Sequence, residues 1–457
     1  MKYFASVVCL SMVALTVSAV AQTPDAGVAL PFARPAGAAA PPAMITLQDA
    51  LERARNLDTT FQSALADVVI VGEDIVQARA ARKPSLSYST SYINTQGNGI
   101  TPNGRSVSGD GVHVYHSVAT VRQDLSPTTV ANLDYKKAVA TQALVNARVD
   151  IARRGLDVTV TENYYGLVAA QRRFAATQQG IQQAQRFLEI TRQQEQAGEA
   201  AHSDAVKAEI QVQRQRRSLQ DATLAIENAR LNLAVLLSPT LDENFSVVDD
   251  LDSPRSLPPF AELQTMAERE NPTLKAASAL VNSASLGVRS AKYGLLPSLS
   301  IEANYGIDAN AFALHSTRAA EPEAGRLPNL GYSLTFNLSV PIFDWGSTKS
   351  KVRQAETKVR QAELELTRTQ RQALSNLYTF YNESVAARAV VDLARSNADL
   401  ATESLRLTNL RYQAGDSTVL EVVDAQNTLI EARNAYDEAQ VRLRLALSSL
   451  QSLTGGF

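Results

Sequence analysis

The sequence predicts a mainly α-helical chain that carries part of a β-barrel: four strands per chain, continued by a long α-helical barrel, built as an internal tandem repeat. Three observations predict this. Sequence landmarks recur about 215 residues apart. Each half contains one strand hairpin with an apolar and a polar face. Each half also contains one proline-free helical stretch of about 66 residues, close to 100 Å long.

The repeat rests on two pairs of landmarks. Pro84-Ser85-Leu86-Ser87 returns as Pro297-Ser298-Leu299-Ser300, displaced by 213 positions, with Tyr92 falling on Tyr305. Gln196-Ala197-Gly198-Glu199 returns as Gln413-Ala414-Gly415-Asp416, displaced by 217. The four-residue difference arises between strand and long helix, where loops absorb it.

Residues 1–21 read as a secretory signal, with Lys2, an apolar core from Phe4 to Val17 and Ala19-Val20-Ala21 before the cut. Cys9, the only cysteine, lies inside that core, so the mature chain has no thiol and no lipid anchor is expected. The formal charge of -2 becomes about -3 once Lys2 is lost, which argues against nucleic acid as a partner. No later apolar run approaches the roughly 20 residues of a membrane helix. Any membrane crossing must therefore use strands.

Residues 22–44, rich in Pro, Ala and Gly, read as a flexible leader. Repeat 1 covers 45–238. Thr46 caps a first helix in which Leu47, Leu51, Ala54, Leu57, Phe61 and Leu65 recur at three and four, running to about Arg82 before Pro84 stops it. A hairpin follows over 84–123: Leu86, Tyr88, Thr90 and Tyr92 alternate with four serines. A Gly/Asn-rich loop separates its strands. The long helix spans 130–195 and a return helix 203–237.

Residues 239–260, proline-rich and acidic with a short strand-like Phe245-Ser246-Val247-Val248, read as an equatorial linker around the cylinder. Repeat 2 covers 261–457, with a helix, a hairpin at 297–343, a long helix at 347–412 and a return helix at 418–453. Val352, Val359, Leu366, Ala373, Phe380, Ala387 and Ala394 keep a spacing of seven, the mark of coiled-coil packing. The return helices are half as long as the long ones, so two short helices stacked end to end cover each long one.

Strands of about 10 residues fit a tilted membrane strand. Four cannot close a barrel, and an open edge is not tolerated in lipid. Several chains must share one barrel, and three chains give twelve strands. The competing reading is a soluble periplasmic coiled-coil scaffold whose short strands form an ordinary sheet.

With these residues in place, the chain resembles the TolC-like outer membrane efflux proteins over essentially its whole mature length. The likeness rests on the duplicated halves, Ile45-Thr46-Leu47-Gln48-Asp49-Ala50-Leu51, Asn271-Pro272, Leu296-Pro297-Ser298-Leu299-Ser300, Val340-Pro341-Ile342-Phe343-Asp344-Trp345-Gly346, and Tyr412-Gln413-Ala414-Gly415 with its Val-Leu-Glu-Val-Val-Asp continuation. The resemblance implies a homotrimer with a twelve-stranded barrel in outer membrane lipid and a helical tunnel through the periplasm. It further implies docking onto a periplasmic adaptor and an inner-membrane transporter, in efflux or type I secretion.

Glu421 and Asp424 are three apart and share one helix face. The resemblance makes them stacked carboxylate rings at the tunnel's constriction, where like charges raise some pKa values and favour cations; a solvated helix face is the bland alternative. The first repeat has Asp204 and Lys207 at these positions, so only the second carries the double acid. Tyr412 and Asp204 match closed-state tethers of some family members, and Ser417 stands where those members carry a basic residue. Ala197-Gly198-Glu199 and Ala414-Gly415-Asp416 match the adaptor-docking tips, although glycine also serves simply to close each hairpin. Trp345 reads as an interfacial anchor or a packed junction residue, and Glu302 as a candidate for the barrel lumen. His113, His116, His202 and His315 show no metal spacing. No phosphate loop, nucleophile elbow or carboxylate dyad appears, so neither cofactor nor catalysis is expected.

Overall fold

The computed structural model describes residues 43–94, 100–101, 104–105, 113–239, 244–253, 256–309, 311–319 and 326–456. The expected signal and nearly all of the leader lie outside the described residues.

Strand β1 (Ala43–Ile45) pairs in parallel with β6 (Phe245–Val247). The last leader residues are thus pinned to the linker, because Ile45 and Phe245 are buried together in one core. Helix α1 (Leu47–Leu57) begins with a capping box: Thr46 accepts from the Asp49 amide at 3.2 Å and Asp49 accepts from the Thr46 amide at 3.1 Å. The expected single helix to Arg82 is in fact two. Asp58 takes an extended conformation and its carboxylate accepts from the Phe61 amide at 2.6 Å, capping α2 (Thr59–Ala80). The same break recurs in repeat 2, where Asn271 separates α6 (Phe260–Glu270) from α7 (Pro272–Tyr293).

Between α2 and the long helix lie β2 (Ser85–Asn94), the short pair β3 (Ile100–Thr101) and β4 (Gly104–Arg105), β5 (His113–Asp124) and a helical turn α3 (Pro127–Val130). Asn132, at φ 57°, separates this turn from α4 (Leu133–Gln196), which therefore starts three residues later than the sequence suggests. The return helix is α5 (His202–Leu237). Repeat 2 supplies β7 (Ser298–Ala309), the small pair β8 (His315–Ala319) and β9 (Arg326–Pro328) where only loop was expected, and β10 (Leu330–Ser339). It ends with α8 (Ser347–Gln413) and α9 (Val419–Thr454).

The four long strands form one antiparallel sheet in the order β10-β7-β5-β2. The register aligns one polar face: Ser87, Thr120, Asn304 and Ser333 lie side by side across the four strands, and Thr120 Oγ1 donates to Asn304 Oδ1 at 2.7 Å. Glu302 lies on the same face, between Arg122 and Thr335. The opposite face is apolar and open: Leu86, Tyr88, Tyr305, Leu334, Phe336 and Leu338 are each more than half exposed. β2 and β10 have no outer neighbour in the sheet.

The helices continue this layer. Next to the sheet the columns run α2, α4, α7, α8; beyond the waist they run α5, α4, α9, α8. The heptad residues Val352 to Ala394 are all at least half-buried, as a packing seam requires. At the waist, Tyr164 and Tyr165 are buried in a core shared by α1, α4, α5 and the linker. Tyr164 donates to the carbonyls of Val248 at 2.7 Å and Ile45 at 3.2 Å.

Candidate functional site at the hairpin tips

Both long helices end in the same way. Ala197 and Ala414 close the helices, and Gly198 (φ 81°) and Gly415 (φ 82°) take the left-handed conformation. The Gly198 amide donates to Glu195 O at 3.0 Å and the Glu199 amide to Gln194 O at 2.8 Å. The Gly415 amide likewise reaches Tyr412 O at 3.1 Å and the Asp416 amide Arg411 O at 2.8 Å. This double closure is the Schellman arrangement, which satisfies two otherwise orphaned carbonyls and reverses the chain in few residues. In the second tip Arg411 Nη2 also donates to Asp416 O at 2.9 Å.

A small core fixes the two tips to each other. It contains Phe187 of α4, Ala208 of α5, Tyr412 of α8, and Val419, Val422 and Val423 of α9. Tyr412 is 7% exposed, its ring 5.0 Å from that of Phe187. Its hydroxyl lies 2.7 Å from Gln194 Oε1 and 3.2 Å from Thr191 Oγ1. Tyr412 therefore joins the two long helices across the repeat, and its partners are Gln194 and Thr191. Asp204 is instead paired with Lys207 on its own helix at 3.0 Å. Tyr412 and Asp204, both matched to closed-state tethers, thus have separate partners within this chain. No sequence signal picks out Gln194, which is one of several glutamines near the tip.

The inward valines turn Glu421 and Asp424 to the opposite, exposed face of α9. Glu421 is held locally: Ser417 Oγ donates to it at 2.8 Å and Thr418 Oγ1 at 3.2 Å, while Arg411 lies 3.8 Å away. The Ser417 hydroxyl first, then Thr418 and the Arg411 charge, hold the Glu421 carboxyl below the usual range. Within one chain its shift is thus opposite to that expected for a ring of repelling acids. Ser417 serves this local cap within the chain. Asp424 makes no ion pair among the described residues, so it is the free carboxylate of the pair.

Sequence reasoning missed a second cluster, at the waist. Arg172 of α4 bonds Asp249 through Nε and Asp252 through Nη2 at 2.7 Å in the linker, and Asp437 at 3.1 Å and Gln440 at 2.9 Å in α9. Burial opposes its charge, but the hydrogen bonds it donates to Asp249, Asp252 and Asp437 outweigh it and raise the guanidinium's pKa. Burial raises that of Asp437 despite Arg172. Arg444 donates to the carbonyls of Asp250, Leu251 and Ser253. Both arginines bind the linker to helices of both repeats.

Trp345 is 90% exposed at φ 54°, edge-on to Phe343 at 4.8 Å, where the sheet meets α8. Within the single chain it is not packed into the junction. Among the described residues no helix is long and apolar enough to cross a membrane and no metal cluster occurs.

An amphipathic sheet with two free edges, carried on a layer of long helical hairpins, defines the chain as one segment of an outer membrane channel. The chain belongs to the outer membrane efflux protein family, whose model matches residues 47–238 and 263–456, one match per repeat. It is 24% identical to the outer membrane protein TolC of Escherichia coli, over 90% of this chain and 82% of that protein. It is also 24% identical to the alkaline protease secretion protein AprF of Pseudomonas aeruginosa, over 90% of this chain and 84% of that protein. The open state of the MtrE outer membrane channel of Neisseria gonorrhoeae shares the fold, with a TM-score of 0.73 at 19% identity over 90% of this chain and 89% of that one.

Proposed function

We propose that three copies of this chain form the exit duct of a tripartite efflux or secretion system. The duct takes substrate from an inner-membrane transporter and a periplasmic adaptor, and passes it across the periplasm and outer membrane without covalent chemistry. The observation that carries this reading is the open apolar face of the β10-β7-β5-β2 sheet, which has free edges on both sides. An unpaired edge in lipid costs several kcal/mol per group. Three antiparallel steps leave β2 and β10 running in opposite directions, so β2 of one copy can pair antiparallel with β10 of the next. Three copies give twelve strands whose polar face, with Glu302, lines the lumen.

The helices support the same joint. α8 stands at one edge and α2 with α5 at the other. Leu364, Tyr378 and Val385, then Leu393, Leu400 and Leu407, fall on sevens along α8 and are all exposed. Val69, Ile70 and Val76 of α2 and Val206, Ile210 and Leu224 of α5 offer apolar surface on the far edge. Joining the edges buries both stripes.

In the assembled duct Glu421 and Asp424 form the constriction at the periplasmic end. Tyr412, with Gln194 and Thr191, holds the tips closed, while the tips at Ala197-Gly198-Glu199 and Ala414-Gly415-Asp416 meet the adaptor. Opening moves the hairpins outward through differential contacts with those partners. The test is single-channel recording of Glu421→Ala with Asp424→Ala. Reduced cation preference and altered conductance are expected; unchanged values remove these residues from the constriction.

A further inference from the structure

The membrane-proximal part of the helical layer holds a groove that the duct does not use. Its floor is α7, whose Leu280, Ser283, Ala284 and Gly287 are mostly small; its walls are α4 and α8, and its volume is about 610 Å³. A Cβ built on Gly287 would meet nothing within 4 Å, so the floor is open there. Lys137 of α4 and Lys351 and Lys358 of α8 line the walls, all exposed. None of the three makes an ion pair among the described residues. The nearby Lys292 does, with Glu356 at 3.3 Å, and the one acid in the groove, Glu365, faces Arg368 at 3.8 Å.

The depth of the groove matters. Lys137 and Lys351 each stand four residues into α4 and α8, about 6 Å from the helix ends nearest the sheet at 1.5 Å per residue. The headgroup layer of one leaflet is about 5–8 Å thick. Ile342, Phe343 and Trp345, all strongly exposed, mark its apolar boundary just above. The groove spans from the inner column α4 across α7 to the edge column α8, and its α8 residues Lys351, Lys358 and Ala362 are distinct from the α8 stripe that meets the next copy.

We infer that this groove binds the phosphate of an anionic phospholipid from the periplasmic leaflet, clamped by Lys137 and Lys351 with Lys358 deeper. The apolar lining, Leu280 and Ala284 of the floor with Ala355 and Ala362 of the α8 wall, takes the glycerol and proximal acyl carbons, which a free phosphate could not use. The inference rests on the reading of the sheet as a lipid-facing barrel wall. A lysine near an anionic headgroup contributes roughly a fivefold gain in binding, so three give on the order of a hundredfold.

The test is native mass spectrometry of the delipidated oligomer in neutral detergent, titrated with phosphatidylglycerol or phosphatidylcholine. Preferential binding of phosphatidylglycerol is expected, falling by on the order of a hundredfold in Lys137→Gln/Lys351→Gln/Lys358→Gln. Gly287→Leu fills the floor while keeping every charge, and weaker phosphatidylglycerol binding is expected there too. It decides the matter if the triple variant fails to assemble. Equal binding of the two lipids by an intact oligomer, unchanged binding in Gly287→Leu, or full displacement of the lipid by inorganic phosphate overturns the lipid site. A particle that is not oligomeric at all sinks the barrel reading instead.

Discussion

Replacing Tyr412 by phenylalanine isolates one bond at the tip. The ring stays against Phe187, while the hydroxyl that lies 2.7 Å from Gln194 Oε1 is lost. Thr191 Oγ1 keeps its bond to Phe187 O at 2.9 Å, so the loss falls on Gln194. A buried neutral hydrogen bond contributes about 1 kcal/mol net. If the tips of the proposed three-copy duct open together, about 3 kcal/mol of preference for the closed state is lost, which is on the order of a hundredfold in the closed-to-open ratio. Planar-bilayer recordings of Tyr412→Phe should therefore show long openings without partner proteins, in a particle of unchanged mass. Tyr412→Ala additionally removes the buried ring and costs roughly 3–5 kcal/mol of tip stability per chain. If Tyr412→Phe stays closed as the parent does, the bond to Gln194 either survives opening or does not hold the tips.

Arg172→Gln strips Asp249, Asp252 and Asp437 of their shared cation and leaves the largely buried Asp437 without an ion-pair partner among the described residues. Since Arg172 is still 20% exposed, a loss of roughly 1–3 kcal/mol is expected, read as a lower thermal unfolding midpoint in detergent. An unchanged midpoint would show that the linker is held by packing alone. Gly415→Ala meets no steric obstacle, so its cost is the left-handed backbone alone, about 1–2 kcal/mol, seen as faster amide exchange confined to the tip. Exchange at wild-type rates would mean that the turn relaxes to another geometry. Because the folded-state pKa of Glu421 is lowered, its stabilising contribution is complete above its ordinary value of 4.5 and disappears as pH falls through the lower folded value. Acid loosening of the tip below that ordinary value should be present in the parent and absent in Glu421→Gln, by exchange measured across that range.

The elements most legible in the sequence were those with strict local periodicity. Serine alternation gave the first hairpin, seven-residue spacing gave the α8 seam, a lone glycine in a proline-free stretch gave the tip at Gly415, and the repeated Gln-Ala-Gly gave the tip at Gly198. Asp58 was illegible as a break because the apolar spacing runs through it from Leu57 to Phe61; only the extended backbone at that residue reveals the cap. Partners distant in sequence were also hidden. Tyr412 was named without Gln194, 218 positions away. Arg172 was not named at all, because its meaning depends on acids 77, 80 and 265 positions distant. Glu421 illustrates a third limit: the spacing placed it on one helix face with Asp424, but its capture by Ser417 and Thr418 depends on side-chain geometry in the turn.

The central claim is that one chain supplies four strands to a barrel shared among copies. The most direct measurement is the mass of the protein extracted in detergent from separated outer membranes, by size-exclusion chromatography with light scattering. The account predicts a three-chain particle found only with detergent. A monomer or dimer released by osmotic shock would contradict it and would favour the soluble scaffold.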